Sequence, residues 1–131
     1  MSTITAIILA RNEEQHIADC IKSIQCADEI LVIDDGSTDR TVEIAETLGA
    51  KVISHALNGD WSQQRRFGIS QASCDWILFI DSDERVSPEL NDEIRKAIQS
   101  GEKRLIGYLD IIYFIITLPL MALCDQTRYC A

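Results

Sequence analysis

Two short, unbroken hydrophobic runs, each stopping at a cluster of acids, constrain this chain more than any other feature. Ile30-Leu31-Val32-Ile33 leads into Asp34-Asp35-Gly36-Ser37, and Trp76-Ile77-Leu78-Phe79-Ile80 leads into Asp81-Ser82-Asp83-Glu84. Runs of four or five apolar residues are too short for a core helix and read as strands. The lack of polar alternation implies that both faces are covered, as in a parallel sheet flanked by crossover helices.

The rest of the chain agrees with that reading. Ile4 to Ala10 is a first buried strand. Asn12 stands where a helix cap belongs, and Gln15 completes a capping-box pattern. Ile17, Cys20, Ile21 and Ile24 follow at helical spacing and form one apolar stripe. Glu29 to Ile33 is the second strand. Ser37 or Thr38 can cap the next helix, whose apolar face is Val42, Ala45 and Leu48, with Gly49 to end it. Lys51 to Ser54 is a short third strand, and residues 55–61 form a loop with Asn58-Gly59 as its turn. Ser62 to Ala72 is helical, and Trp76 to Ile80 is the fourth strand. Ser87 caps a last helix with Pro88 at its first position, a buried stripe of Leu90, Ile94, Ala97 and Ile98, and Gly101 past its end. The order βαβαβαβα with short links predicts an α/β fold, a mainly parallel sheet with right-handed crossovers. Ligands bind such sheets beyond the carboxyl ends of the strands. Arg11-Asn12, Asp34-Asp35 and Asp81-Ser82-Asp83 are the groups found there.

A chain of 131 residues has room for one core, and 47% apolar content suits a folded domain. A net charge of −9 excludes the basic face that non-specific nucleic-acid binding needs. It leaves an anionic nucleotide open, because a divalent cation can screen phosphates locally. Five cysteines (Cys20, Cys26, Cys74, Cys124, Cys130) show no metal-ligand spacing. They point to a reduced, cytoplasmic setting. The N-terminus lacks the basic and cleavage features of a signal peptide.

Asp81-Ser82-Asp83 is a D-x-D at a strand end. Mg²⁺ and Mn²⁺ favour oxygen ligands and commonly take one or two carboxylates plus substrate phosphates. A solvated turn before a helix would account for the same residues. Asp34-Asp35-Gly36-Ser37-Thr38-Asp39 offers a carboxylate to a base N–H or a ribose hydroxyl, while an Asx turn with a helix cap explains it equally. Arg65 and Arg66 can clamp phosphate or stack on a base, or lie on a solvated helix face. His16 and His55 stand alone and suit surface or structural roles. The chain contains no GxSxG, Walker A or GxGxxG.

Taken together and in order, these segments resemble family 2 glycosyltransferases of the GT-A fold. The match runs through Ile8-Leu9-Ala10-Arg11-Asn12-Glu13-Glu14, Val32-Ile33-Asp34-Asp35-Gly36-Ser37-Thr38-Asp39, Arg65-Arg66-Phe67-Gly68-Ile69 and Asp75-Trp76 to Glu84, covering roughly residues 3–108. Residues 27–30 and 83–86 look most like bacterial enzymes that add a sugar to lipopolysaccharide core. The resemblance implies the Rossmann-like nucleotide-binding half of a GT-A domain over residues 1–104. It also implies a nucleotide-sugar donor, a glycan or glycolipid acceptor, and Mg²⁺ or Mn²⁺ as cofactor. Ala10, Arg11, Glu13 and Glu14 would line the nucleoside pocket. Asp34, with Asp35 beside it, would contact the base, expected to be uracil, and Arg65 would sit near base and phosphates. Asp81, Ser82 and Asp83 would hold ribose, metal and diphosphate, with Asp81 and Asp83 as the metal ligands. Cys74 stands where the family often has Gly, and Arg66 where Asn is usual. The general base of inverting members comes from a later segment, and no residue here matches it.

Residues 105–131 stand apart. Leu105 to Cys124 is mostly apolar, and as a helix of about 30 Å it would span a bilayer. Lys103-Arg104 would then keep the N-terminal domain on the cytoplasmic side, at the inner face of the membrane. Asp110 and Pro119 oppose a span. Buried strands, with Ile111 to Thr117 as one, are a second reading. A third is a truncated or frame-altered end unrelated to the family.

Overall fold

The computed structural model describes residues 3–99 and 115–117. β1 (Ile4–Ala10), β2 (Glu29–Asp34), β3 (Lys51–Ser54) and β4 (Trp76–Asp81) form a parallel sheet. β5 (Ile115–Thr117) lies antiparallel against β4, and the strand order is β3-β2-β1-β4-β5. The chain therefore winds outward from β1 to β3, then returns to the other side of β1. This reversal opens a crevice beyond the ends of β1 and β4, where ligands bind in open parallel sheets. The expected parallel α/β architecture is present. Within 105–124 the described residues are 115–117, and they are strand. The rest of the proposed membrane-spanning segment, the boundary at 104 and Gly101 lie outside the described residues. Among the described residues no helix is long and apolar enough to cross a membrane.

The alternation along each strand sorts side chains between two unequal layers. Even-numbered positions, such as Ile4, Ala6, Ile8, Val32, Leu78 and Ile80, face α1 (Ile17–Ser23), α2 (Thr41–Thr47) and α4 (Pro88–Gln99). Odd-numbered positions, Ile7, Leu31, Ile33 and Ile77, face α3 (Trp61–Gln71) through Phe67 and Ile69, with Ala72 just past its end.

The helix starts depart from expectation where side chains serve distant partners. Asn12 does not cap α1, which begins at Ile17 without a side-chain cap. Its backbone is left-handed at φ 51°. Its side-chain oxygen instead accepts the Thr38 N–H at 2.8 Å, across to the next loop. Neither Ser37 nor Thr38 caps α2; Asp39 accepts the Thr41 N–H at 3.0 Å. α2 ends as expected at Gly49, in a Schellman motif with Gly49 N–H on the Glu46 carbonyl and Ala50 N–H on that of Ala45. α3, expected over Ser62 to Ala72, starts one residue earlier at Trp61, and Asp60 caps it through the Gln63 N–H. Ser87 caps α4 as expected, accepting the Leu90 N–H at 3.1 Å. Asn91, on α4, is buried with both side-chain ends occupied, accepting from Gln25 and Cys26 N–H and donating to the Ser23 and Ser87 carbonyls.

Gly68 sets how closely α3 approaches the sheet. A Cβ there would lie 2.9 Å from Ile7 Cγ2, and that methyl sits on a stiff β-branched carbon within the core. Gly68→Ala is expected to lower stability by about 1 kcal/mol, since overpacking of about 1–3 kcal/mol exceeds the gain in helix propensity of about 1 kcal/mol. Urea denaturation would measure this. A more stable variant would mean that α3 lifts freely from the sheet.

Candidate functional site

A cleft of about 360 Å³ opens at the carboxyl end of the sheet, on the α3 side, a size suited to a small ligand. Its apolar wall is formed by Leu9, Ala10, Ile33, Leu57 and Trp61. Its polar wall is formed by Arg11, Glu13, Asp35, Gln64, Asp81, Ser82 and Asp83. Of the residues expected from sequence, Ala10, Arg11, Glu13, Asp35, Asp81, Ser82 and Asp83 meet here. Asp34, Glu14 and Arg65 lie outside the lining.

Strand parity explains the position of Asp34. It follows Val32 onto the α1–α2 face and is buried. There its carboxylate accepts the backbone N–H and hydroxyl of Ser37, closing the turn that Gly36 permits at φ 67°. Asp35 begins the loop and reaches the cleft. One of its oxygens accepts the Leu57 N–H at 2.9 Å and the other faces the Arg11 guanidinium at 3.4 Å. Glu14 carries the Arg40 N–H on its carboxylate and donates its own N–H to Asp39. Glu13 lines the cleft while its N–H donates to the Thr41 hydroxyl at 2.8 Å. With Asn12 N–H on the Ser37 hydroxyl, these bonds stitch the β1–α1 loop to the β2–α2 loop. Arg65 lies half-buried one turn along α3 from Trp61.

The β4 end is held differently. Glu84 closes a turn on Asp81: its N–H donates to the Asp81 carbonyl at 3.0 Å, and its carboxylate accepts the Asp81 N–H at 3.1 Å. The same carbonyl faces the buried Cys20 thiol at 3.5 Å. These contacts fix the backbone and turn the carboxylates of Asp81 and Asp83 outward, where both are exposed. Among the described residues, neither carboxylate accepts a hydrogen bond or forms an ion pair. Glu84 registers the accumulated negative charge. Partial burial raises its carboxyl above the ordinary range, and Asp81 and Asp83 raise it further against the pull of the Asp81 N–H.

This donor set fits a hard divalent cation. Among the described residues no three acids, histidines or cysteines converge as a metal cage. Two uncompensated carboxylates suit Mg²⁺ or Mn²⁺, which fill their remaining positions with water and phosphate oxygens.

The sequence reading missed Leu9, Ile33, Leu57, Trp61 and Gln64. Strand parity carried a signal for Leu9 and Ile33, which share the face of Asp81. Gln64 is buried and bonded at both ends to His55: its amide N–H donates to the His55 carbonyl, and its oxygen faces Nδ1 at 2.6 Å. That orientation places a proton on Nδ1. The ring also stacks on Phe67 with centroids 3.7 Å apart, so His55 anchors α3 to the end of β3.

Residues 5–113 match the family model described as glycosyl transferase family 2. An uncharacterized glycosyltransferase of Rickettsia typhi is 44% identical over 110 residues, covering 82% of this chain and 37% of the relative. The lipopolysaccharide core biosynthesis glycosyltransferase LpsC of Rhizobium meliloti is 28% identical, covering 80% of this chain and 40% of LpsC. The chain thus spans about two fifths of the length of these relatives. Glucosyl-3-phosphoglycerate synthase of Mycobacterium tuberculosis in complex with UDP superposes with a TM-score of 0.67 at 29% identity, covering 79% of this chain and 42% of that one. The same enzyme with Mn²⁺, UDP and glucosyl-3-phosphoglycerate gives 0.55 at 32% identity, covering 62% and 33%.

Proposed function

The chain belongs to glycosyl transferase family 2, and on that premise we propose that its cleft binds a UDP-sugar, as the donor half of an enzyme that glycosylates a bacterial envelope glycan such as lipopolysaccharide core. The observation that carries the reading is the outward pair Asp81 and Asp83 at the β1/β4 reversal, in a cleft that also presents Asp35. The UDP and Mn²⁺ complexes of the mycobacterial neighbour support the donor and cofactor class. The name of LpsC supports the acceptor class.

Asp81 and Asp83 would hold Mg²⁺ or Mn²⁺ together with the diphosphate. A bound cation supplies Lewis-acid neutralisation of the departing UDP. The protein's own part is positioning. Glu84 fixes the Asp81 backbone at the start of the turn that carries both carboxylates. Asp35, oriented by Leu57 N–H and Arg11, offers a carboxylate to the nucleoside. The stitched loops hold Ala10, Arg11 and Glu13 in place along the nucleoside wall.

A second reading, a donor-binding module without transfer, is favoured by the carboxylates themselves. Among the described residues, those lining the cleft are Glu13, Asp35, Asp81 and Asp83. Asp35 is engaged by two donors, Glu13 is placed along the nucleoside wall, and the D-x-D pair is assigned to the cation. Calorimetric titration of the full chain with UDP and UDP-glucose, with and without Mn²⁺, tests the donor site that both readings share. Binding is expected only with Mn²⁺, in the micromolar range of about 8 kcal/mol. A folded chain that binds neither ligand overturns both. Sugar release to water, or transfer once a glycan acceptor is added to the same mixture, separates them.

A further inference from the structure

We propose that Trp61 is the stacking platform for the base of the donor nucleotide, an assignment that rests on the UDP-sugar reading above. Among the described residues Trp61 is the one large apolar side chain on the surface, 56% exposed, and it lines the cleft. Its backbone is held firmly. Asn58 and Gly59, with φ of 51° and 74°, form a tight turn closed by Asp60 N–H on the Leu57 carbonyl at 3.0 Å. Asp60 then caps the helix that Trp61 begins. An indole on so fixed a backbone, left in water on the apolar wall of a cleft that also carries Arg11, Asp35 and Gln64, is placed for a flat ligand group rather than for the core.

The fold decides which group that is. Leu57 N–H is bonded to Asp35, so Trp61 belongs to the β2 side of the cleft. The carboxylates of Asp81 and Asp83 stand at β4. β1 lies between them, and two strand spacings amount to about 10 Å. That interval is the reach of a ribose between a base and its diphosphate. With the diphosphate at β4, the base falls at β2, between Trp61 and Leu57 and beside the Asp35 carboxylate. Stacking on an aromatic face is favourable for any base and strengthens binding by about tenfold or more.

The chain has two tryptophans, and Trp76 is buried in the sheet. Emission therefore divides into a red component from Trp61 and a blue component from Trp76. Titrating the full chain with uridine, UDP and UDP-glucose in Mn²⁺ should quench the red component with all three, uridine requiring the highest concentration. Trp61→Phe should keep UDP affinity within about threefold, and Trp61→Ala should lose about tenfold or more. Unchanged Trp76 emission would report an intact fold. Two results overturn the platform but leave the donor site standing. One is calorimetric UDP binding with no change in Trp61 emission and no loss in Trp61→Ala. The other is quenching by UDP-glucose but not by UDP or uridine, which assigns Trp61 to the sugar. Failure of the wild type to bind UDP removes the donor reading and this inference together.

Discussion

Replacing Asp83 with Ala is expected to weaken Mn²⁺-dependent UDP binding by about a hundredfold, or about 2.7 kcal/mol, because it removes one of the two carboxylates proposed to hold the cation. The reasoning starts from the backbone. Glu84 and the Cys20 thiol hold the Asp81 peptide unit, so neither carboxylate of the pair has to order its own chain. Burial is the main reason that the Glu84 carboxyl is raised, and the charges of Asp81 and Asp83 add to the rise, so the three acids disfavour one another in the absence of a cation. Removing Asp83 relieves that repulsion, so the variant should unfold at the same urea concentration as wild type or slightly above it. Asp83→Asn, which keeps the shape and loses the charge, should bind as poorly as Asp83→Ala. Calorimetry with and without Mn²⁺ separates the contributions. Wild-type affinity in both variants would remove Asp83 from the cation site.

The second large effect is on alkaline stability. Cys26 is almost fully buried, and burial pushes its thiol from 9.0 up to about 11. Asp28 adds to the rise, while the backbone N–H and Arg95 oppose it. The unfolded chain releases this proton near pH 9 and the folded chain keeps it until about pH 11. Stability is therefore fully present below pH 9 and falls as pH rises toward the folded value. The slope is at most about 1.4 kcal/mol per pH unit, and the loss across the window is about 2 kcal/mol. Urea denaturation of wild type and Cys26→Ala from about pH 8 to about pH 11 isolates this term, because the packing lost in the variant shifts its curve without changing the slope. Parallel curves for the two proteins would show that the thiol releases its proton at the same pH in the folded and unfolded chain.

The strands and their order in the chain were readable from hydrophobicity alone, because each buried strand is an apolar run ended by polar residues. The sheet order was not readable, since the return of β4 to the side of β1 depends on packing between distant segments. Helix starts misled for a related reason. Asn12, Ser37 and Thr38 are good local caps, but each is engaged by a residue about 25 positions away or, for Ser37, by Asp34. The site was legible to the level of strand ends. Choosing between Asp34 and Asp35 needed strand parity together with knowledge of which face carries the cleft. Trp61 gave no periodic signal, because it is left uncovered rather than packed on an apolar face.

The stitching of residues 12–14 to residues 37–41 has a kinetic and entropic consequence. Backbone amides of Asn12, Glu13, Glu14, Thr38 and Arg40 all end on side chains of the opposite loop. Loops at the mouth of a sheet are usually the least stable part of a fold, and ordering them on binding would cost about 1–2 kcal/mol per residue. Here that ordering is complete before any nucleotide arrives. If the proposed function holds, a nucleotide would dock against this wall without waiting for a slow rearrangement of these two loops.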